Sequence, residues 1–253
     1  MLNTLVATLR LVAILLVTLI SLFIVLLLFP LIPKRHHPRI IKYWAHTTLW
    51  CVGVKFDIET LDDESAAFIL PNSMVIANHV SWLDIPVLYA LYAVSFVAKA
   101  EIKAWPILGM MATRVGTIFI NRSQKRSLGD INHSISDHLV NGKMVVVFPE
   151  GTTSDGATVI PFKSSLFESA IASGAKIIPI TIKYYKKNGE FANSVSYSGD
   201  LNLWQSVTNS LRLNGIQVKV IKLPPVTPSQ FTNRNELSKH LYDKIYHTYT
   251  NHI

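Results

Sequence analysis

The chain has 253 residues, 49% hydrophobic and only 16% charged, with a formal net charge of +8. This excludes a disordered chain and is too apolar for an ordinary soluble domain, so one α/β core of roughly 200 residues plus a lipid-facing segment is expected. The single cysteine, Cys51, permits no internal disulfide, and no Cys/His spacing of the C-x-x-C kind suited to structural zinc occurs.

The charge is unevenly placed. Residues 1–56 hold Arg10, Lys34, Arg35, Arg39, Lys42 and Lys55 with no Asp or Glu, whereas the remainder carries 18 basic against 16 acidic side chains. A basic cluster beside an apolar run favours anionic lipid headgroups over nucleic acid.

Leu11 to Pro33 contains no charged residue, and even ending at Phe29 the run has 19 residues, about 28 Å of helix against a hydrocarbon layer of ~30 Å. No small-residue cleavage site follows, so a retained transmembrane helix is predicted rather than a removed signal peptide. Arg10 precedes the run while Lys34, Arg35, Arg39 and Lys42 follow it, which predicts a cytosolic face for the rest of the chain. Residues 38–53, with Tyr43, Trp44 and Trp50 among His and Lys, suit an interfacial helix; packing on the globular domain is the alternative. The expected division is a membrane segment at 1–53 and a cytosolic domain at 54–253.

From residue 54 short apolar runs alternate with helical patterns, which predicts a mixed, largely parallel sheet flanked by helices. The strands expected are Val54–Glu59, Met74–Asn78, Ser95–Ala98, Thr117–Asn121, Met144–Phe148, Lys176–Ile182 and Ile216–Leu223. Helices are expected at about 84–92, 101–114, 126–140, 164–173, 203–213 and 234–250. Pro179 inside an apolar strand implies an edge or a bulge. The tract after Pro224-Pro225 reads as a loop and a polar, solvated helix.

Ligand sites in such sheets lie beyond the carboxyl ends of strands. The first candidate is Asn78-His79-Val80-Ser81-Trp82-Leu83-Asp84-Ile85-Pro86. On a regular helix His79 and Asp84 would not share a face. Pro86 belongs in a helix's first turn, so Asp84 can stand near the N-cap with His79 on the preceding turn. Asp84 would then accept the Nδ1–H, fixing the tautomer and leaving Nε2 free as a base. The second candidate is Phe148-Pro149-Glu150-Gly151-Thr152-Thr153-Ser154-Asp155-Gly156, whose glycines, hydroxyls and amides can cradle a phosphate or an oxyanion. Between them, Gly116 to Arg122 is a further strand ending in a polar pair, and the Arg122 guanidinium could bind a phosphate.

These blocks, in this order, resemble the glycerolipid acyltransferase superfamily, especially its bacterial membrane 1-acylglycerol-3-phosphate acyltransferases. Asn78 to Asp84 is similar to the N-H-x-S-x-x-D block, Gly116 to Arg122 to the second, Phe148 to Ser154 to the F-P-E-G-T-R-S block, and Ile177 to Thr181 to the proline-containing fourth. The N-terminal helices resemble the family's two-helix anchor, and the likeness fades after about residue 185.

The resemblance implies transfer of a fatty acyl group from acyl-CoA or acyl-carrier protein to the sn-2 hydroxyl of lysophosphatidate in a membrane, with no bound cofactor. It implies His79 as general base oriented by Asp84, substrate contacts at Glu150, Gly151, Thr152, Thr153 and Arg122, and amides around Gly151 for the oxyanion. Glu150 would order the lysolipid or the motif loop. One position departs from the pattern: Thr153 stands where the family has an arginine associated with phosphate. That opens a second acceptor class such as lyso-ornithine lipid or lysophosphatidylcholine, unless Arg122, Lys99 or Lys163 compensates. A membrane-anchored lipid hydrolase would also use a His–Asp pair, but no G-x-S-x-G elbow occurs and Ser81 lies close to His79 in sequence. A non-enzymatic membrane tether would leave both polar segments without a role.

Overall fold

The computed structural model describes residues 2–61, 71–120 and 127–251. Its described strands are β1 (Val54–Thr60), β2 (Ser73–Ala77), β3 (Val94–Lys99), β4 (Ile118–Ile120), β5 (Met144–Val147), β6 (Lys176–Lys186) and β7 (Ile216–Lys222). They form one seven-stranded sheet in the order β1-β7-β6-β2-β5-β3-β4. Every neighbouring pair is parallel except β6 with β7. The central strands β2 and β5 are buried along their whole length, as unbroken apolar runs between two covered faces must be.

Alternation along β2 divides the core. Val75 and Ala77 face a cluster with Leu49 and Val52 of α2 (His37–Val52), and Val87 and Leu88 of α3 (Asp84–Leu91). Met74 and Ile76 face the other side, against α6 (Ser127–Val140), α7 (Phe167–Ser173) and α9 (Arg234–Asn251). The C-terminal tract is therefore not merely a solvated face: Leu237, Leu241, Ile245 and Tyr249 of α9 are buried in the core.

Two elements differ from expectation. The helix expected over 101–114 is broken into α4 (Ala100–Lys103) and α5 (Pro106–Arg114), because Trp105 is extended before Pro106. Strand β6 runs four residues beyond Ile182, because its antiparallel pairing with β7 continues to Lys186↔Ile216. Pro179 lies in this interior strand, not at an edge. Its carbonyl accepts from the Leu223 amide at 3.0 Å, and its missing N–H falls where Pro224-Pro225 interrupt the neighbouring chain, between the Leu223 and Val226 contacts.

At the N-terminus α1 (Leu2–Phe23) continues into a π-helical turn over Ile24–Leu28, and Thr4–Leu28 is long and apolar enough to cross a membrane. The helix has two stripes. Ala7, Leu11 and Ile14 pack against the core and Ser21, Val25 and Phe29 are buried, while Leu5, Leu9, Val12, Leu16, Leu19 and Phe23 are bare. Phe29 stacks on His37 at 4.0 Å, and His37 Nε2 lies 3.2 Å and 3.0 Å from the carbonyls of Phe29 and Ile32, closing an α1–α2 hairpin. At the other end, Arg10 Nη1 donates to the carbonyls of Leu211 (3.1 Å) and Leu213 (2.6 Å), at the C-terminus of α8 (Leu203–Arg212). Gly53, with φ 84°, closes α2 here; a Cβ on it would lie 2.5 Å from Arg10 Nη2.

Candidate active site

Because β2 and β5 are parallel neighbours, the segments after them leave the sheet at the same edge, and this brings residues 79 and 150 together. Asn78 sets the exit from β2. Its side-chain amide donates to the Ile182 carbonyl and accepts the Ile182 amide, both at 2.8 Å, so the turn is fastened to β6 before His79 is reached.

Asp84 is the first residue of α3 and is fully buried. Its Oδ2 receives His79 Nδ1–H at 2.7 Å and the amides of Val80 and Ser81 at 2.8 and 2.9 Å. Its Oδ1 receives the Tyr184 hydroxyl at 2.6 Å. Four donors around one carboxylate compensate its desolvation and fix its plane. The imidazole lies flat on Phe148, 3.9 Å between ring centroids at 12°, which fixes its other face. The His79 side chain keeps 20% of its surface open, and among the described residues Nε2 has no hydrogen-bond partner.

Glu150 is buried beneath this dyad. Oε1 accepts the His79 amide at 2.6 Å and Oε2 the Ile160 amide at 2.9 Å, so the carboxylate ties the two loops together from inside. Burial pushes its carboxyl up to about 7, against the two amide bonds that favour the ion and with added repulsion from Asp84. A further loop bond runs from the Ser154 amide to the His79 carbonyl at 2.7 Å.

The rest of the second segment is shaped by glycines and α9. Gly151 and Gly156 both have φ 77°, and a Cβ on Gly156 would lie 2.6 Å from Phe191 Cζ and 2.9 Å from Val80 Cγ1. The Tyr249 hydroxyl donates to the Gly156 carbonyl. The Gly151 amide donates to the Phe148 carbonyl at 3.1 Å, whereas the amides of Thr152 and Thr153 have no partner among the described residues. Thr152 is exposed. The Thr153 hydroxyl donates to the Tyr197 carbonyl, and so faces the loop after β6.

His79, Asp84, Glu150, Gly151, Thr152 and Thr153 are thus gathered at one sheet edge, while Arg122 lies outside the described residues. The Ser81 hydroxyl donates to the Val195 carbonyl at 2.6 Å and is buried, so it does not stand before His79 as a nucleophile. The reading from sequence missed Tyr184 and Tyr249, and, although it singled out Asn78, it did not foresee that this side chain fastens to Ile182. Tyr184 had a usable signal: it follows Ile180 and Ile182 at period two, on the same face of β6.

Residues 63–183 match the family model described as Acyltransferase. The 1-acyl-sn-glycerol-3-phosphate acyltransferase of Neisseria gonorrhoeae is 42% identical over 151 residues, 59% of this chain and 59% of that protein. Its counterpart from Neisseria meningitidis is 46% identical over 129 residues, 51% of each. These alignments span only about half to three fifths of the two Neisseria proteins. The lyso-ornithine lipid O-acyltransferase of Pseudomonas aeruginosa is 33% identical over 204 residues, 79% of this chain and 74% of that protein. In fold, the crystal structure of the 1-acyl-sn-glycerophosphate acyltransferase from Thermotoga maritima superposes with a TM-score of 0.68 over 95% of this chain and 96% of that one, at 22% identity. With its buried His–Asp dyad at the edge of a largely parallel sheet and these relatives, the chain belongs to the glycerolipid acyltransferase superfamily.

Proposed function

We propose that the protein transfers a fatty acyl group from a thioester, acyl-CoA or acyl-carrier protein, to the free sn-2 hydroxyl of a lysolipid at a membrane surface, with lysophosphatidate as acceptor. The observation that carries this reading is His79: Nδ1 is held by a fully buried carboxylate and, among the described residues, Nε2 has no hydrogen-bond partner at a partly open ring. Nε2 takes the hydroxyl proton as the acceptor oxygen bonds to the thioester carbonyl carbon. The tetrahedral intermediate then collapses with cleavage of the C–S bond, and the same proton passes from Nε2 to the departing sulfur. Asp84 stabilises the transient imidazolium, and general-base assistance of this kind contributes typically 10²–10⁴-fold.

The Gly151 amide is engaged in the turn, so the amides of Thr152 and Thr153 are the better candidates to receive the oxyanion. Glu150 acts through the backbone of His79 rather than on substrate, since both its oxygens already hold amides. The bare stripe of α1 attaches the domain to lipid, where its acceptor resides. Arg10, fastened to α8, keeps this helix alongside the domain.

A second acceptor, lyso-ornithine lipid, is favoured by one observation: the Thr153 hydroxyl is engaged by the Tyr197 carbonyl, so this position offers no cation to a phosphate. Relatives named for that acceptor also align over most of this chain, as the Pseudomonas protein does. Initial rates with lysophosphatidate, lyso-ornithine lipid and lysophosphatidylcholine, each with labelled acyl-CoA and acyl-carrier protein, decide between them. Faster transfer to lysophosphatidate supports the first reading. Faster transfer to lyso-ornithine lipid replaces it, and no transfer to any acceptor removes both.

A further inference from the structure

The corner between α4 and α5 is an unusual piece of surface. Residues 103–108, Lys-Ala-Trp-Pro-Ile-Leu, are all exposed, and so is Met110; large apolar side chains seldom stand bare in succession on a soluble face. The corner is built to present them. Pro106 starts α5 on a chain already extended at Trp105, and Gly109 lets α5 cross α4 at a distance no other residue tolerates: a Cβ there would lie 2.3 Å from the Lys103 carbonyl oxygen.

Its surroundings name the occupant. The π-helical turn that ends α1 packs on α5, and the two share a cleft of about 200 Å³ lined by Leu26, Met110, Lys103 and Arg114. The bare apolar surface of α1, reaching Leu27 and Leu28, therefore continues onto the corner. Lys99, Lys103 and Arg114 flank it, with Glu101 the only acid between 99 and 114. An aromatic and aliphatic tip ringed by cations is the chemistry of an anionic bilayer surface, where each Lys or Arg strengthens attachment by roughly fivefold.

Position gives the contact a purpose. Strands β2, β5 and β3 are parallel, so His79 after β2, Glu150 after β5 and the corner after β3 all leave the sheet at one edge. We infer that the α4–α5 corner is a second membrane-docking element, which inserts Trp105 and Leu108 into an anionic leaflet and sets the His79 edge of the sheet against the lipid surface. The inference rests on the proposed attachment of α1 to the membrane, and the test separates the two.

Cys51 is the sole cysteine, so Cys51→Ala gives a background for single labelling sites in the full chain. Trp105→Cys and Leu108→Cys carry an environment-sensitive fluorophore on the corner, Leu16→Cys carries it on the bare stripe of α1, and Lys143→Cys carries it before β5, at the opposite sheet edge. Each protein is incorporated into phosphatidylglycerol–phosphatidylethanolamine vesicles containing lipids with a quencher in the acyl chain. Blue-shifted, quenched emission at 105, 108 and 16, with 143 remaining in water, supports the inference. A weaker signal at 105 and 108 when phosphatidylglycerol is replaced by phosphatidylcholine supports the role of the cations. Quenching at 16 with 105 and 108 in water overturns the corner and leaves the α1 anchor standing, whereas no quenching at any site overturns both. Labels at 105 and 108 that leave water only on adding acyl-carrier protein, or only on self-association, overturn it in favour of that partner.

Discussion

Tyr184→Phe isolates the least visible part of the dyad. The substitution removes one oxygen from a fully buried side chain and keeps the ring, so packing is preserved while Asp84 Oδ1 loses the donor at 2.6 Å. Oδ2 retains its three donors, but the carboxylate can turn about the bond that Tyr184 had restrained. A hydrogen bond to a charged group contributes about 1.5–3 kcal/mol. For a chain of this length, a loss of about 2 kcal/mol lowers the melting temperature by roughly 4–8 °C. If the full 1.5–3 kcal/mol is also felt when the imidazolium forms, turnover falls by about ten- to a hundredfold. The assay is turnover and KM for the lysolipid in nanodiscs, at a temperature well below both melting points. The expected result is a fall in turnover with KM unchanged. Turnover within about twofold of the parent, despite a lowered melting temperature, would show that Tyr184 supports the fold and not the reaction.

Three further outcomes follow from the same structure. Because the Glu150 carboxyl is held near 7 in the fold against an ordinary 4.5, the unfolded chain ionises it first; stability is full below about 4.5 and declines by up to about 3 kcal/mol as pH rises through 7. Melting temperatures across that window should fall, and Glu150→Gln should flatten the slope; a parent profile with no such decline would contradict the burial argument. Gly156→Ala should destabilise by at least about 1–2 kcal/mol from its positive φ alone and, through Val80 and Phe191, should also impair transfer; an unchanged melting temperature would refute this. Arg10→Leu removes both donors from the C-terminus of α8 and should lower the melting temperature while leaving the protein in the membrane fraction; release from membranes would show that Arg10 itself makes the attachment.

What could be read in advance was whatever local chemistry dictates. The parallel core strands announced themselves as short apolar runs, and the His79–Asp84 contact followed from five-residue spacing with a proline that must lie in a helix's first turn. What could not be read depends on long-range register. Tyr184 reaches Asp84 only because β6 continues past Ile182 alongside β7, and Asn78 fastens to Ile182 across the same sheet. Arg10 looked like a flank of a membrane run, yet its partners are the carbonyls of Leu211 and Leu213, some two hundred residues later. The break between α4 and α5 was legible in Pro106; the apolar periodicity of 101–114 concealed it.

The most direct test of the central claim is His79→Gln, with acyl transfer to the lysolipid hydroxyl followed in a single turnover. Glutamine can still donate toward Asp84 but cannot take the acceptor's proton. The account predicts a loss of about 10²–10⁴-fold in the chemical step, with acyl-donor binding and melting temperature close to the parent. Transfer at the parent rate by this variant would contradict it, because the account assigns the acceptor's proton to His79 Nε2, which glutamine cannot replace as a base.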